Sequence, residues 1–329
     1  MTRPSLAPLL ELATAYQRSR VLAVVLELEI PTRLATGSRS AAQLASDLDA
    51  HPLAIGRLLD AAVALGLLVR SGDCFADTPI AAAHLVKGRG DYLGDALLHS
   101  ARASQAWSEL GPRIRAWRPG PGTHRPSTEA APVGAEIDGQ HRLALLAGEA
   151  LAEAVDLSAH RRLLDLGGGT GAMSIALCSR FEQLRAVIVE RAGVAKEARV
   201  RVGAAGLRER IEVTSGDFVR EPLPRGADAV LLANVLSMLD AGEVRALFAR
   251  AYDALPTDGL VVITGWMLDE HATGPLLATL LSLEDIALDA PDVERPWPIY
   301  AGWLAGAGFE HIQGDTLDPP LSWLVARKP

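Results

Sequence analysis

The stretch Leu163-Leu-Asp-Leu-Gly-Gly-Gly-Thr-Gly-Ala172 determines how the second half of this chain folds. A short apolar run stops at three glycines, and residues 172–180 then alternate with helical spacing, so the pattern predicts a strand, a tight turn and a helix. Glycine suits such a turn because it adopts backbone conformations that other residues avoid and lets a ligand approach closely. The unpaired N–H groups that begin the helix attract an anionic group. The stretch therefore predicts a ligand-binding turn at the end of a strand.

Two acidic residues follow the next two apolar runs. Glu190 ends the run 184–189, about 20 residues after the glycines, where a carboxylate can accept hydrogen bonds from both hydroxyls of a ribose. The run 211–214 leads into Asp217 and Phe218, a carboxylate and an aromatic ring that can lie beside a purine. The pattern predicts a cofactor that contains a nucleoside. The predicted cofactor-binding residues are Asp165, Gly167, Gly168, Gly169, Gly171, Glu190, Arg191, Gly216, Asp217, Phe218 and Asn234.

The glycine pattern alone admits two classes of cofactor. Gly167, Gly169 and Ala172 also match the GxGxxG/A pattern of dinucleotide-binding folds, so a nicotinamide fits the turn as well. The carboxylate and ring at Asp217 and Phe218 favour the other class, because a carboxylate accepts well from the exocyclic amine of adenine.

Strand-like and helix-like segments alternate from residue 163 to the end of the chain. This alternation predicts an α/β fold, a Rossmann-like, doubly wound and mostly parallel sheet that binds ligands at the carboxyl ends of its strands. The predicted cofactor residues all lie at such ends. The predicted strands are 163–166, 185–190, 210–214, 228–233, 259–265 and 322–327.

The first half of the chain has a different, mainly helical pattern. Residues 6–30 form an apolar helix that ends before Pro31 and must be covered, either in a core or in an intertwined dimer interface. The dimer is favoured because the first domain is small for so much apolar surface. Helices at 40–46 and 52–65, followed by two short strands, predict a winged helix. The predicted domains are residues 1–134 and 135–329, with a proline-rich loop at 117–132.

Charge and cysteine content exclude several functional classes. The chain of 329 residues has a net charge of −8 and no basic cluster, and the candidate recognition helix at 52–65 offers only His51 and Arg57 nearby, so DNA is an unexpected partner. Cys74 and Cys178 lie far apart, and no residues have metal-ligand spacing. We expect no metal, a reducing cytoplasm, and no membrane segment, because the apolar runs are too short.

The order of these motifs resembles the small-molecule O-methyltransferases, which use S-adenosylmethionine and include caffeic acid and acetylserotonin enzymes and bacterial polyketide-tailoring relatives. The resemblance extends over nearly the whole chain, from the winged-helix dimerisation domain to the late helix at 298–307. It implies that the glycine turn holds the methionine part of the cofactor, Glu190 the ribose and Asp217 the adenine. It also implies a homodimer and a small-molecule acceptor, aromatic or polyketide-like, methylated on a hydroxyl.

The chain departs from this family where the acceptor is deprotonated. Many members carry a histidine base at the position of Ser237 and an acidic partner at the position of Gly265. Both are absent here, and some bacterial relatives without the histidine still methylate through positioning. Holding the acceptor in line with the methyl group can supply much of the rate enhancement, and water can take the proton.

Other residues are candidates for the base and for the acceptor pocket. His141, Ser237 and Glu284 are the predicted catalytic residues, and His99 and His271 are weaker candidates for the base. Glu284 lies within a leucine stripe on the helix at 275–288, Leu277, Leu280, Leu281 and Leu288, which we expect to be buried. An ion pair with an arginine is the alternative for Glu284, and a surface position is the alternative for His141. The candidate acceptor-binding residues are His99, Trp107, Trp266 and Trp303, with Trp297 as a further tryptophan that can line a pocket or fill a core.

Two alternative functions remain open on the sequence. The same cofactor can serve N- or C-methylation, or a rearrangement in which the sulfonium acts only as a positive charge. A winged-helix regulator that binds DNA is the alternative from a different class.

Overall fold

The computed structural model describes residues 5–118, 135–288, 295–317 and 321–329. The chain divides into two compact units, one of Met1–Gln105 with Val133–Arg142 and one of Ala106–Pro132 with Leu143–Pro329. The predicted boundary at 134/135 lies at the end of a segment outside the described residues and stays a prediction. Most of the predicted proline-rich loop lies outside them too.

The first unit is mainly helical, with a small three-stranded sheet. Its three strands pair antiparallel, with the last of them along the chain in the centre. The two helices that follow the first strand and the hairpin of the other two strands form the predicted winged helix. The predicted helix at 6–30 is interrupted at Glu29, which has a left-handed backbone with φ of 51°. Its elements are α1 (Ala7–Glu27), α2 (Ile30–Leu34), β1 (Arg39–Ser40), α3 (Ala41–Asp47), α4 (Pro52–Ala64), β2 (Leu68–Ser71), β3 (Cys74–Asp77) and α5 (Pro79–His84).

Three helices follow along the chain: α6 (Gly94–Ser108), α7 (Leu110–Ala116) and α8 (Ala135–Ala154). In the first unit, Leu44, Leu59 and Phe75 are almost fully buried and form its core. The first half of α1 is not covered by this core, since Leu12 is 74% exposed and Tyr16 is 67% exposed. The single chain therefore leaves an apolar helical surface open.

The second unit is built on the predicted sheet. Seven strands lie in the order β6-β5-β4-β7-β8-β10-β9, the first five parallel and β10 antiparallel to both of its neighbours. This confirms the doubly wound, mostly parallel α/β fold. Its elements are β4 (Arg162–Leu166), α9 (Ala172–Arg180), β5 (Arg185–Glu190), α10 (Ala192–Ala204), β6 (Ile211–Ser215), β7 (Ala229–Ala233), the 3-10 turn η1 (Leu236–Met238), α11 (Ala241–Ala254), β8 (Leu260–Gly265), α12 (Leu276–Ala287), α13 (Trp297–Gly306), β9 (Glu310–Thr316) and β10 (Ser322–Arg327).

Apolar residues cover both faces of this sheet. Leu163 and Val262 belong to one core, whereas Leu164 and Ile263 belong to the other, as expected for alternating side chains on strands covered by helices on both sides. Each fully buried leucine or valine contributes roughly 1.5–3 kcal/mol to folding before the entropy cost. The two cores hold the carboxyl ends of β4 to β7 side by side.

The predicted burial of the leucine stripe on α12 is wrong for three of its members. Leu277, Leu280 and Leu288 are 41%, 39% and 52% exposed, whereas the small residues Ala278 and Ala287 are fully buried. The helix therefore packs within its unit through its alanines, because small side chains allow close approach. The apolar pattern predicted a helix correctly, but it did not predict which face of the helix is buried.

The helix α11 begins at a capping box, in which the side chains of Asp240 and Glu243 each accept a hydrogen bond from the other residue's backbone N–H. Asp240 Oδ1 accepts a hydrogen bond from the Glu243 N–H at 2.8 Å, and Glu243 Oε2 accepts one from the Asp240 N–H at 3.2 Å. Asp240→Ala should lower the free energy of unfolding by about 1 kcal/mol, measured by urea denaturation. The control is Asp253→Ala in the last turn of the same helix, where a carboxylate faces the negative end of the dipole. A loss at Asp253 as large as that at Asp240 would contradict the role of the cap.

Candidate active site

The glycine turn connects β4 to α9 as the sequence predicts. Gly167, Gly169 and Gly171 have positive φ of 74°, 56° and 81°, a region that other residues rarely adopt. A Cβ on Gly167 would lie 2.6 Å from Val235 Cγ1 and 3.1 Å from Phe218 Cε1. A side chain at Gly167 would therefore collide with its neighbours in the fold, whereas nothing lies within 4 Å of the Cβ position of Gly169.

Glu190 stands at the end of β5, next to this turn. Its Oε2 accepts a hydrogen bond from the Gly169 N–H at 3.0 Å, and its Oε1 accepts one from the Arg191 N–H at 2.7 Å. The residue is only 7% exposed. These bonds fix the orientation of the carboxylate and leave it further lone pairs, since an ionised carboxylate can accept about four hydrogen bonds. The geometry suits a ligand with hydroxyl donors.

Asp165 lies beneath the turn on β4 and is completely buried. Its Oδ2 accepts a hydrogen bond from the Ser174 hydroxyl at 2.6 Å, while its Oδ1 is buried without a hydrogen-bond partner. Burial raises the pKa of Asp165 to about 7, the bond from Ser174 opposes this, and the charge of Glu190 adds to it. The carboxylate also explains Gly168, where a Cβ would lie 2.5 Å from Asp165 Oδ2.

Asp217 and Phe218 follow β6 at the same edge of the sheet. Asp217 Oδ1 accepts a hydrogen bond from the Val219 N–H at 3.0 Å, and the Phe218 ring packs beside Gly167. Arg250 on α11 donates to the Phe218 carbonyl at 2.7 Å and so fixes this loop. The Gly216 N–H donates to the Glu190 carbonyl at 3.0 Å. The structure thus brings the predicted cofactor residues of three strands together.

Ser237 and Gly265, where the chain departs from the resembled family, line one cavity of about 240 Å³. We call it the Ser237 cavity. Asn234 forms its edge, with a left-handed backbone at φ of 54° and its Oδ1 placed 3.2 Å from where a Cβ of Gly265 would stand. The lining residues are Asn234, Leu236, Ser237, Ile263, Thr264, Gly265, Trp266, Met267 and Tyr300.

The other predicted site residues lie in varied surroundings. The Trp107 indole N–H donates a hydrogen bond to Glu284 Oε2 at 3.4 Å, so these two candidates contact each other. The Trp303 ring packs against Tyr300 and against the guanidinium groups of Arg245 and Arg295, and does not line the Ser237 cavity. Of the predicted tryptophans, Trp266 alone is among that cavity's described lining residues.

No histidine is among the described residues that line the Ser237 cavity. His141 is half-buried on α8 within the first unit, and His271 is exposed, with its Nε2 3.4 Å from Glu270. The side chain of His99 lies outside the described residues. Trp297 is 38% exposed at the start of α13. The catalytic roles of His141, Ser237 and Glu284 stay predictions.

Two contributors to the site were missed from the sequence. Ser174 lies in the first turn of α9, and no sequence pattern indicated that its hydroxyl donates to Asp165 on the preceding strand. Arg250 is one of many arginines, and nothing in the sequence distinguished it as the donor to the Phe218 carbonyl. The described residues hold no group of three or more His, Cys, Asp or Glu side chains suited to a metal ion. Within the same residues, no helix has the length and apolar character to cross a membrane.

Comparison with known proteins identifies this arrangement. Residues 132–310 match the model of an O-methyltransferase domain, and residues 10–87 match that of an O-methyltransferase dimerisation domain. The chain belongs to the O-methyltransferase family. The methyltransferase is 32% identical to the 3-hydroxy-5-methyl-1-naphthoate 3-O-methyltransferase of Streptomyces sahachiroi over 93% of this chain and 90% of the relative.

Two further relatives are similar over their whole length. An N,N-dimethyltransferase of Streptomyces rimosus is 32% identical over 100% of both chains. The crystal structure of human N-acetylserotonin methyltransferase in complex with S-adenosylmethionine superposes with a TM-score of 0.81, at 26% identity and over 99% of both chains. These findings confirm the family and the cofactor class that the sequence predicts. The methyltransferase uses S-adenosylmethionine, and the nicotinamide alternative does not apply.

The residues present fit that cofactor. The glycine turn packs closely on Val235, Phe218 and Asp165 and is open at Gly169, and the Glu190 carboxylate is oriented at its edge by the Gly169 and Arg191 N–H groups. Phe218 adds a ring on the other side of the turn.

Proposed function

We propose that this methyltransferase transfers the methyl group of S-adenosylmethionine to a hydroxyl of a small aromatic or polyketide-like metabolite. We further propose that it works as a homodimer in the cytoplasm. The oriented Glu190 carboxylate beside the glycine-rich turn is the observation that supports the cofactor's position. The match to a dimerisation domain and the uncovered apolar half of α1 support the dimer.

Each residue of the cofactor site has a proposed role. The turn 167–171 and the first N–H groups of α9 bind the methionine part, because N–H donors and the helix dipole favour a carboxylate. Glu190 accepts hydrogen bonds from the ribose hydroxyls, and Asp217 accepts one from the adenine amine beside the Phe218 ring. Asn234 borders the Ser237 cavity, and its proposed role is to contact the cofactor from there.

The bound cofactor supplies an electrophilic methyl group on a sulfonium. The reaction breaks the bond from sulfur to methyl carbon, forms a bond from that carbon to the acceptor oxygen, and releases the acceptor proton. None of the described residues that line the Ser237 cavity carries a charged side chain at neutral pH. We therefore propose that the chain contributes by holding the acceptor in line, while water takes the proton.

N-methylation is the second candidate. The relative from Streptomyces rimosus is named as an N,N-dimethyltransferase, and a neutral amine attacks before it loses its proton. Such an acceptor needs no base at the positions of Ser237 and Gly265, where the resembled family carries a histidine and an acidic partner.

A labelled-methyl assay distinguishes these candidates. The protein is incubated with S-adenosylmethionine carrying a ¹³C-methyl group, and in separate reactions with a hydroxynaphthoate, with N-acetylserotonin and with an aromatic amine. We expect a methyl carbon bonded to oxygen, by NMR, and one S-adenosylhomocysteine for each product. Methyl transfer to the amine alone would replace O-methylation by N-methylation, and a changed acceptor without added methyl mass would indicate a rearrangement.

A further inference from the structure

The loop 216–221, which follows β6, forms a single turn with few attachments of its own. The Glu221 N–H closes the turn by donating to the Asp217 carbonyl at 2.8 Å. Before the turn, the Gly216 N–H donates to the last carbonyl of β5 at 3.0 Å. After the turn, the chain continues Pro-Leu-Pro at 222–224, and prolines have no N–H to donate. The far end of the loop therefore needs an anchor from another element.

Arg250 on α11 supplies that anchor. Its two terminal nitrogens donate to two different carbonyls of the loop, Nη1 to Glu221 and Nη2 to Phe218, each at 2.7 Å. A planar guanidinium holds its donors in a fixed fork, and its charge strengthens both bonds. Burial lowers the pKa of the Arg250 guanidinium, and the negative charge of Asp217 opposes this shift. The arginine therefore ties the turn to the helix at two points.

Apolar packing by itself does not orient this loop. Phe218, Val219 and Leu223 pack against the core that includes Phe248 of α11, but the hydrophobic effect is non-directional. Such contacts hold the loop near the core without fixing the direction of its peptide groups. Among the described residues, no carboxylate forms an ion pair with Arg250, so its charge serves the two carbonyls.

The direction of the Asp217 carboxylate depends on the backbone of this turn. Its Oδ1 accepts a hydrogen bond from the Val219 N–H at 3.0 Å, within the turn itself. Its Oδ2 lies 3.8 Å from Nη1 of Arg220, whose side chain is 74% exposed. An exposed ion pair at this distance contributes little. A change in the backbone of the turn would therefore turn the carboxylate with it.

We infer that Arg250 is a positioning residue that sets the purine selectivity of the cofactor site. By holding the carbonyls of Phe218 and Glu221, it places the Asp217 carboxylate to accept a hydrogen bond from the exocyclic amine of adenine. The inference rests on the proposed function, because the contact between Asp217 and adenine belongs to that proposal. It makes the choice between adenine and hypoxanthine depend on a side chain of α11.

Two probes separate selectivity from affinity. They are S-adenosylhomocysteine and S-inosylhomocysteine, in which a carbonyl oxygen replaces the exocyclic amine. A carboxylate accepts a hydrogen bond from the amine but finds no donor on that oxygen. By calorimetric titration, we expect the wild-type protein to bind S-adenosylhomocysteine at least about tenfold more tightly than S-inosylhomocysteine. The ratio of the two affinities measures the selectivity.

Arg250→Met removes both hydrogen bonds and keeps an unbranched side chain. We expect it to weaken S-adenosylhomocysteine binding about tenfold and S-inosylhomocysteine binding by no more than about twofold, because only the adenine contact depends on the carboxylate. A general loss of order in the site would lower both affinities by the same factor. A folded Arg250→Met, verified by urea denaturation, that keeps the wild-type selectivity would overturn the inference.

Two controls and a second variant complete the test. Arg225→Met makes the same change at an exposed arginine of the same surface groove, and both affinities should stay within twofold of wild type. Glu190→Ala removes the proposed ribose contact, so it should weaken both probes equally and leave the selectivity unchanged. If Arg250→Met does not fold, Arg250→Lys replaces it. An ammonium group lacks the planar fork, so the selectivity should fall about threefold, and wild-type selectivity in this variant would refute the role of Arg250.

The possible failures are distinguishable. A wild-type protein that does not bind S-adenosylhomocysteine would defeat the proposed function. A wild-type protein that binds both probes equally would defeat the proposed contact between Asp217 and the adenine amine. Wild-type selectivity that survives the loss of the Arg250 guanidinium would defeat only the inference about Arg250.

Discussion

Glu190→Ala is expected to weaken binding of S-adenosylhomocysteine by about 100-fold or more. The proposed ribose contacts are hydrogen bonds to a charged acceptor, each worth about 1.5–3 kcal/mol. The alanine also removes the acceptor of the Gly169 and Arg191 N–H groups, so the turn loses its anchor. Calorimetric titration of wild type and variant with S-adenosylhomocysteine measures the effect.

The control for this variant is Glu212→Ala. Glu212 is a carboxylate on the neighbouring strand β6, but it is exposed, and we expect its removal to leave cofactor affinity unchanged. Urea denaturation of both variants separates a lost contact from a lost fold. A Glu190 variant that folds and binds within threefold of wild type would show that this carboxylate does not hold the ribose.

The free energy of unfolding of the wild-type protein should contain a contribution from Asp165 that falls as the pH rises from about 4 to about 7. Burial raises the pKa of this carboxyl from 3.8 to about 7. Below pH 3.8 the group is protonated in both states, so its contribution is fully present. Between the two pKa values the folded protein holds a proton that the unfolded chain has released, so raising the pH favours unfolding. The whole change amounts to roughly 4 kcal/mol, at about 1.36 kcal/mol per unit.

Asp165→Asn isolates this contribution because asparagine does not titrate. The difference in unfolding free energy between Asp165→Asn and wild type should shift in favour of the variant from pH 5 to pH 8, by urea denaturation at each pH. Ser174→Ala is the matched variant, since the Ser174 hydroxyl holds the pKa of Asp165 down. Its removal should move the fall to higher pH. An equal difference at pH 5 and pH 8 would contradict the raised pKa.

Much of the cofactor site was predictable because its signals are local. Positive φ at Gly167, Gly169 and Gly171 favours glycine at those positions, and Glu190 ends its strand in the sequence as in the structure. In a parallel sheet the carboxyl ends of the strands share one edge, so strand order along the chain sufficed to bring these residues together. The winged helix followed from equally local patterns.

The structural features that the sequence did not predict involve residues whose neighbours come from distant parts of the chain. The strand β9 was missed because Glu310–Thr316 is almost wholly exposed and shows little apolar alternation. The leucines of α12 predicted a buried face, but Ala278 and Ala287 pack instead, since hydrophobicity does not reveal which neighbour approaches a helix. Trp107 and Glu284 are 177 residues apart, and nothing local indicated their hydrogen bond.

The sequence by itself predicted the fold class and, through its resemblance to a family, the cofactor. It also predicted that the proposed cofactor residues lie at one edge of the sheet. Glycine conformations, strand periodicity and carboxylates at strand ends are properties of short segments, which physical chemistry constrains without knowledge of the rest. The tertiary structure alone decided what surrounds Ser237 and Gly265. Only with η1, β8 and α13 in place do these two small residues, and Asn234 beside them, enclose a neutral cavity. The volume and the lining of this cavity depend on residues that are distant in sequence, so no single segment of the chain predicts them.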